Sequence, residues 1–155
     1  LFINDCGNRI LPGIAICNAI CRGTVCAMKQ NQAQKGMVDE IIRCREYIEN
    51  ALAYSGDTHN FDDVMLGILL GNFQFWPTDN SCMVTEIINY PRKKVFHVFL
   101  AGGSLNEIKA FHKPATEWAK AQGCSAMTLT GRPGWEKALA SEGWEYQFTT
   151  LKREI

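Results

Sequence analysis

A chain of 155 residues, 46% hydrophobic and 21% charged, has the size and mix of one soluble globular domain with a sizeable core. Sixteen basic residues balance sixteen acidic ones, which excludes the overall field that draws a protein to nucleic acid or an anionic membrane. No apolar run approaches the roughly eighteen residues that a membrane-spanning helix needs.

Residues 1–36 differ from the rest. They carry Arg9, Arg22, Lys29 and Lys35 against Asp5 alone, leaving the remainder at minus three. Four of the seven cysteines, Cys6, Cys17, Cys21 and Cys26, crowd this stretch, but no Cys-x-x-Cys pair and no histidine lies among them, so no metal site is expected. Ile10 to Cys21 is fairly apolar, yet Pro12-Gly13 interrupts it and no small-x-small cleavage site follows, which speaks against a secretory signal. The polar run 29–36 has no periodicity and reads as a linker, with Met37 standing directly before the first well-patterned helix. The expected organisation is therefore an N-terminal extension at 1–36, flexible or not native, and one domain at 37–155. Cys44, Cys82 and Cys124 fall singly within patterned segments, as small buried side chains do in reducing compartments, so the expected location is cytoplasmic.

Val38, Ile41, Ile42, Ile48 and Leu52 recur at helical spacing to about Ala53, with Asp39 and Glu40 in the first turn, where the helix dipole favours them. Ser55-Gly-Asp-Thr-His59 is a turn, and Asn60 caps a second helix carrying Phe61, Val64, Met65, Ile68 and Leu69. A short strand, Phe73 to Trp76, precedes a hairpin whose strands run from Cys82 to Ile88 and from Val95 to Ala101. Helical spacing returns from Asn106 to Gln122, where Pro114 must kink or restart the helix and Gly123 ends it. Ser125 to Thr130 is a strand, Pro133 opens a helix that Gly143 closes, and a last strand is expected at 145–152. The order predicts a mixed α/β fold, a mostly antiparallel sheet flanked by helices.

That order, with a strand ending in Ala101-Gly-Gly-Ser104, then a helix, a strand, a short helix and Glu142-Gly-Trp144, resembles the GNAT superfamily of N-acyltransferases over residues 37–155. It is especially similar to short phage-encoded GNAT-like proteins, in which a segment like Thr85-Glu86 to Tyr90-Pro91 leads to a Gly-Gly turn and one like Gly131-Arg-Pro-Gly-Trp135 opens the penultimate helix. Some of those relatives are internal virion proteins. The resemblance implies a GNAT-like fold that binds acetyl-coenzyme A. Phe99, Leu100 and Ala101 would lie along the pantetheine arm opposite Met127 to Thr130, and Gly102, Gly103, Ser104, Leu105 and Asn106 would meet the pyrophosphate. Glycine suits that turn because an anion must approach backbone N–H groups at a helix start closely; an ordinary strand-to-helix turn is the alternative. The family's loop begins with Arg or Gln, which this chain lacks.

Direct acyl transfer to an amine needs a base. Glu86 is the first candidate, on the same strand face as Cys82, Val84 and Ile88, where partial burial would raise its pKa. An edge glutamate paired with Lys or Arg is the other reading. His97 is a second candidate base, or a satisfied core histidine. The tyrosine acid that many relatives place four residues before their Gly-Phe motif corresponds to Leu139 here, leaving Tyr146 or Tyr90 as substitutes, although an aromatic in a strand commonly only packs. Trp76, Trp118, Trp135 and Trp144 read as packing residues, and Arg92-Lys93-Lys94 as a solvated hairpin tip. The expected acceptor is a small-molecule or peptide amine. Full-size relatives have one strand more, so an open edge is expected that either residues 1–36 or a second subunit, in a homodimer, would cover. The alternative is a non-catalytic structural or interaction protein on the same fold, such as a virion component.

Overall fold

The computed structural model describes residues 2–3, 9–10, 24–132, 134–148, 150–153 and 155, with side chains from Ala33 onward. Cys6, Cys17, Cys21 and Pro133 lie outside the described residues. Strands β1 (Phe2–Ile3) and β2 (Arg9–Ile10) pair antiparallel. Helix α1 (Thr24–Arg43) then runs straight through 29–36, which corrects the expected linker. Residues 33–36 are exposed, so their helix needs no apolar stripe, and Gln, Ala and Lys are good helix formers on a solvated face. Cys44 separates α1 from α2 (Arg45–Leu52), but the Cys44 amide still bonds the Glu40 carbonyl at 3.1 Å and Ile48 bonds back to Cys44 at 3.1 Å.

Helix α3 (Phe61–Leu69) begins at a full capping box: Asn60 Oδ1 accepts from the Asp63 amide, and Asp63 Oδ2 accepts from the Asn60 amide, both at 2.9 Å. Two orphan donors are thereby satisfied reciprocally. Strands β3 (Phe73–Pro77), β4 (Ser81–Asn89) and β5 (Lys94–Gly103) follow as an antiparallel meander. The helical stretch after β5 restarts, as expected from Pro114, giving α4 (Leu105–Ala110) and α5 (His112–Ala121). Pro114 is the cause: it has no N–H to offer the Ala110 carbonyl, and the ladder resumes one residue later, with the Ala115 amide on the Phe111 carbonyl at 2.9 Å. Strand β6 (Ala126–Leu129) returns parallel to β5, giving the order β3-β4-β5-β6. Helix α6 (Gly134–Leu139) and a short 3₁₀ turn (Ala140–Glu142) follow.

The expected strand at 145–152 does not form, as its described residues are irregular. Strand propensity is realised where one face packs, and here Tyr146, Phe148 and Leu151 stand 62%, 68% and 91% exposed. The fold is thus a mixed α/β fold with a four-stranded mixed sheet covered on both faces. Ile41, Cys44, Ile48, Val64 and Ile68 of the first three helices pack on Phe75, Cys82, Val84 and Leu100. Ala115, Trp118 and Ala119 of α5 pack on Trp76, Met83, Phe96 and Val98 from the other side. There Trp76 meets Trp118 edge-on at 5.5 Å and donates its indole N–H to Thr85 Oγ1 at 2.9 Å. Among the described residues no helix is long and apolar enough to cross a membrane.

Candidate functional site

Strand register builds one row of polar groups across the sheet. Phe73 pairs with Glu86, Glu86 with His97, and His97 with Thr128, and directly opposed residues share a face. This is the face covered elsewhere by α2 and α3, but all four residues remain half-buried. His97 Nδ1 lies 2.9 Å from Thr128 Oγ1. Burial pushes the pKa of His97 below its ordinary 6.5, while the Glu86 carboxylate pulls the other way. The imidazole is predominantly neutral at pH 7, and in the tautomer whose Nδ1–H donates to Thr128 its Nε2 carries a free lone pair.

A β-bulge lies beside this row. Val84 pairs with Leu100 but Thr85 with Val98, so Phe99 is the extra residue, and a bulge re-aims side chains. Phe99 and Leu100 both pack towards α2 and α3. The Phe99 ring stacks on Phe73, centroids 5.3 Å apart and planes 20° apart, and meets the edge of His59 at 4.9 Å. His59 comes from the loop between α2 and α3. Gly67 of α3 sits so close to Phe73 that a Cβ there would strike its ring, which fixes where that ring stands.

β5 outruns β6. The parallel pairing ends at Val98 and Leu129, so among the described residues Leu100 to Gly103 pair with β4 alone. On the α5 face of the same place is an apolar cavity of about 30 Å³, walled by Val98, Ala101, Phe111, Met127, Leu129 and Trp144. That is room for about one water or methyl group.

The Gly102–Gly103 turn is shaped by packing. A Cβ on Gly102 would strike the Tyr47 carbonyl of α2, and one on Gly103, whose φ is +102°, would strike the Asn80 carbonyl and Ser81. The Ser104 amide, one of the expected pyrophosphate donors, is already bonded to the Asn80 carbonyl at 3.0 Å. The first-turn amides of Leu105 and Asn106, both exposed, have no acceptor within α4. Of the remaining expected cofactor residues, Leu100 is buried in the core, while Ala101 lines the apolar cavity.

Glu107 locks the 78–81 turn against α4. Its carboxylate accepts from the Thr78 hydroxyl, from the Asn80 amide at 3.1 Å and side chain at 2.9 Å, and from Ser81 Oγ at 3.1 Å. Arg43 holds the turn from the other side through the Thr78 and Asp79 carbonyls at 2.7 and 3.0 Å. The Thr78 hydroxyl first, then the Asn80 side chain, lower the pKa of Glu107 from 4.5 to about 2. A depressed carboxylate pKa stabilises the fold above the unfolded value and loses that effect as pH falls through the folded one. The stability gap between wild type and Glu107→Gln should therefore be full at neutral pH, narrow below pH 4.5 and nearly close by about pH 2. Urea melts across that range check it, and a gap that does not change with pH contradicts it.

The structure brings Glu86 and His97 together, as alternation in the hairpin suggested. Tyr146 stands on an irregular, exposed stretch rather than on a strand. Thr128, Phe73 and His59 escaped the sequence reading. Thr128 was accessible in principle, being the polar residue between Met127 and Leu129 on a predicted strand. Phe73 and His59 join the site only through the register and the bulge.

The fold is similar to that of TTHA1254 from Thermus thermophilus. The crystal structure of its I68M mutant matches with a TM-score of 0.55 at 13% identity, over 76% of this chain and 91% of that one. The wild-type crystal structure gives 0.53 and 12% with the same coverage. No protein-family model matches the chain, and no curated protein matches it. At such identity the likeness concerns fold alone.

Proposed function

We propose that the protein is an N-acyltransferase with a GNAT-like fold that moves an acetyl group from acetyl-coenzyme A to an amine. The observation that carries this reading is the half-buried Glu86–His97–Thr128 row lying just before the point where β5 outruns β6. An extended pantetheine arm fits the edge of Phe99 to Ala101, hydrogen bonding as an added strand would. The exposed amides of Leu105 and Asn106 would meet the pyrophosphate, with Ser104 excluded by its bond to Asn80.

The donor supplies the activated acyl carbon. The ammonium first gives one proton to bulk water; as the neutral amine attacks, His97 Nε2 takes the second N–H proton, and the Thr128 hydroxyl holds the imidazole in orientation. Glu86 stabilises the imidazolium that forms, and that imidazolium returns its proton to the departing thiolate. Relative to the sequence reading, the roles are redistributed: His97 acts as the base and Glu86 supports it.

A second reading, a non-catalytic protein on the same fold, draws support from the Gly102–Gly103 turn, whose glycines and Ser104 amide are engaged in packing. Thermal melts with acetyl-coenzyme A separate the two. Binding to the folded state must raise Tm, by an amount that corresponds to about 2.7 kcal/mol at a hundredfold excess over Kd. An unchanged Tm at millimolar acetyl-coenzyme A would sink the enzyme reading.

A further inference from the structure

Glu86 is a half-buried carboxylate with no hydrogen bond or salt bridge to any described residue; the interaction it does make is the electrostatic pull on His97. Its neighbours on the sheet are aromatic. Phe73 is its direct partner on β3, His97 its partner on β5, and the stacked Phe73–Phe99 pair, with His59 edge-on above it, stands at its side. These rings are only partly covered by the helices. A carboxylate beside half-exposed aromatic rings is the chemistry that recognises an organic ammonium on an apolar body, through one charge-assisted hydrogen bond and apolar contact with the rings.

We infer that Glu86, Phe73, Phe99 and His59 form a binding site for a primary ammonium carried on a short arm from a flat aromatic body, an arylalkylamine. This rests on the acyltransferase reading only in naming the bound amine as acceptor. The half-exposed edges of the stacked Phe73 and Phe99 rings offer an apolar contact to a flat ring, and the row from Glu86 to His97 holds the amine's nitrogen beside Nε2. A polyamine is disfavoured, because among the described residues Glu86 is the one carboxylate in this row, so a second ammonium would lose hydration without a carboxylate to pair with.

The test is calorimetric titration with 2-phenylethylamine, n-butylamine and 1,4-diaminobutane, each alone and again with coenzyme A present. The expected result is that 2-phenylethylamine binds most tightly, that Glu86→Gln weakens it about tenfold or more, and that Phe73→Leu and Phe99→Leu each weaken it about three- to fivefold. Gly67→Ala, which displaces the Phe73 ring without touching Glu86, should weaken it in the same sense, with Tm of each variant measured to confirm folding. Equal affinity for n-butylamine, or tighter binding of the diamine, overturns the aromatic specificity. No amine binding in either condition while acetyl-coenzyme A still raises Tm overturns the site and leaves the acyltransferase reading standing. Selective 2-phenylethylamine binding without any response to acetyl-coenzyme A supports the site and removes the acyltransferase reading instead.

Discussion

Gly103→Ala is expected to destabilise the fold by roughly 2–5 kcal/mol, from the strain of a positive φ and from overpacking. The backbone at Gly103 stands at φ +102°, and a Cβ there would strike the Asn80 carbonyl and the body of Ser81. Neither obstacle is the end of a flexible side chain. The Asn80–Ser81 turn is fixed by Glu107 and by Arg43, so it has little freedom to retreat. Gly102→Ala should be costly too, because its Cβ would meet the Tyr47 carbonyl on α2. Urea denaturation read by tryptophan fluorescence measures both, and wild-type midpoints would show that the turn relaxes. Loss of acetyl-coenzyme A binding in these variants therefore says nothing about phosphate contact, whereas Leu105→Pro acts at the exposed first position of α4, where Pro is tolerated, and removes one amide donor.

The second large effect belongs to His97. His97→Ala is expected to lower kcat about 10²- to 10⁴-fold, the usual range for a general base, while the Tm shift with acetyl-coenzyme A persists. His97→Gln, which keeps the bulk and a hydrogen bond to Thr128, should be equally slow. The pH profile carries the sign. The working base is the neutral imidazole, so activity should fall as pH drops through a pKa that burial holds below 6.5. Because Glu86 raises that pKa, Glu86→Gln should move the acid limb to still lower pH. A limb that stays in place would remove Glu86 from the reaction, and a His97→Ala enzyme with wild-type kcat would remove His97.

Most of the element order was readable from the chain because it rests on local physics. The capping residue Asn60, the break at Pro114 and the reversal between Asn89 and Lys94 each act within a few residues. Two segments misled for one reason, that pattern is read as burial. Residues 29–36 lack an apolar stripe and yet are helical, since an exposed helix needs none. Residues 145–152 alternate like a strand and yet find no sheet to pack on. The site was half legible. Glu86 and His97 emerged from alternation in a hairpin, but their alignment with Thr128 depends on a parallel pairing between strands separated by two helices, which no local signal encodes. The Gly-Gly pair suggested an anion site because glycine permits close approach; what approaches it here is the protein's own backbone.

The bulge at Val84–Thr85 makes the site a matter of parity. One extra residue in β5 lets Leu100 face the helical core beside Val84 while His97, three positions earlier, faces the same way beside Glu86. In an unbroken strand, residues three apart lie on opposite faces. If Phe99 were instead paired in an unbroken ladder, a sheet that kept Leu100 in its core would turn His97 towards α5 and bring Val98 up beside Glu86. The odd residue thus reconciles two demands on a single strand, a core at one end and a polar row at the other, and it contributes to the aromatic wall between them. A homologue lacking Phe99 would need no bulge: it would keep the row and lose that ring of the aromatic wall.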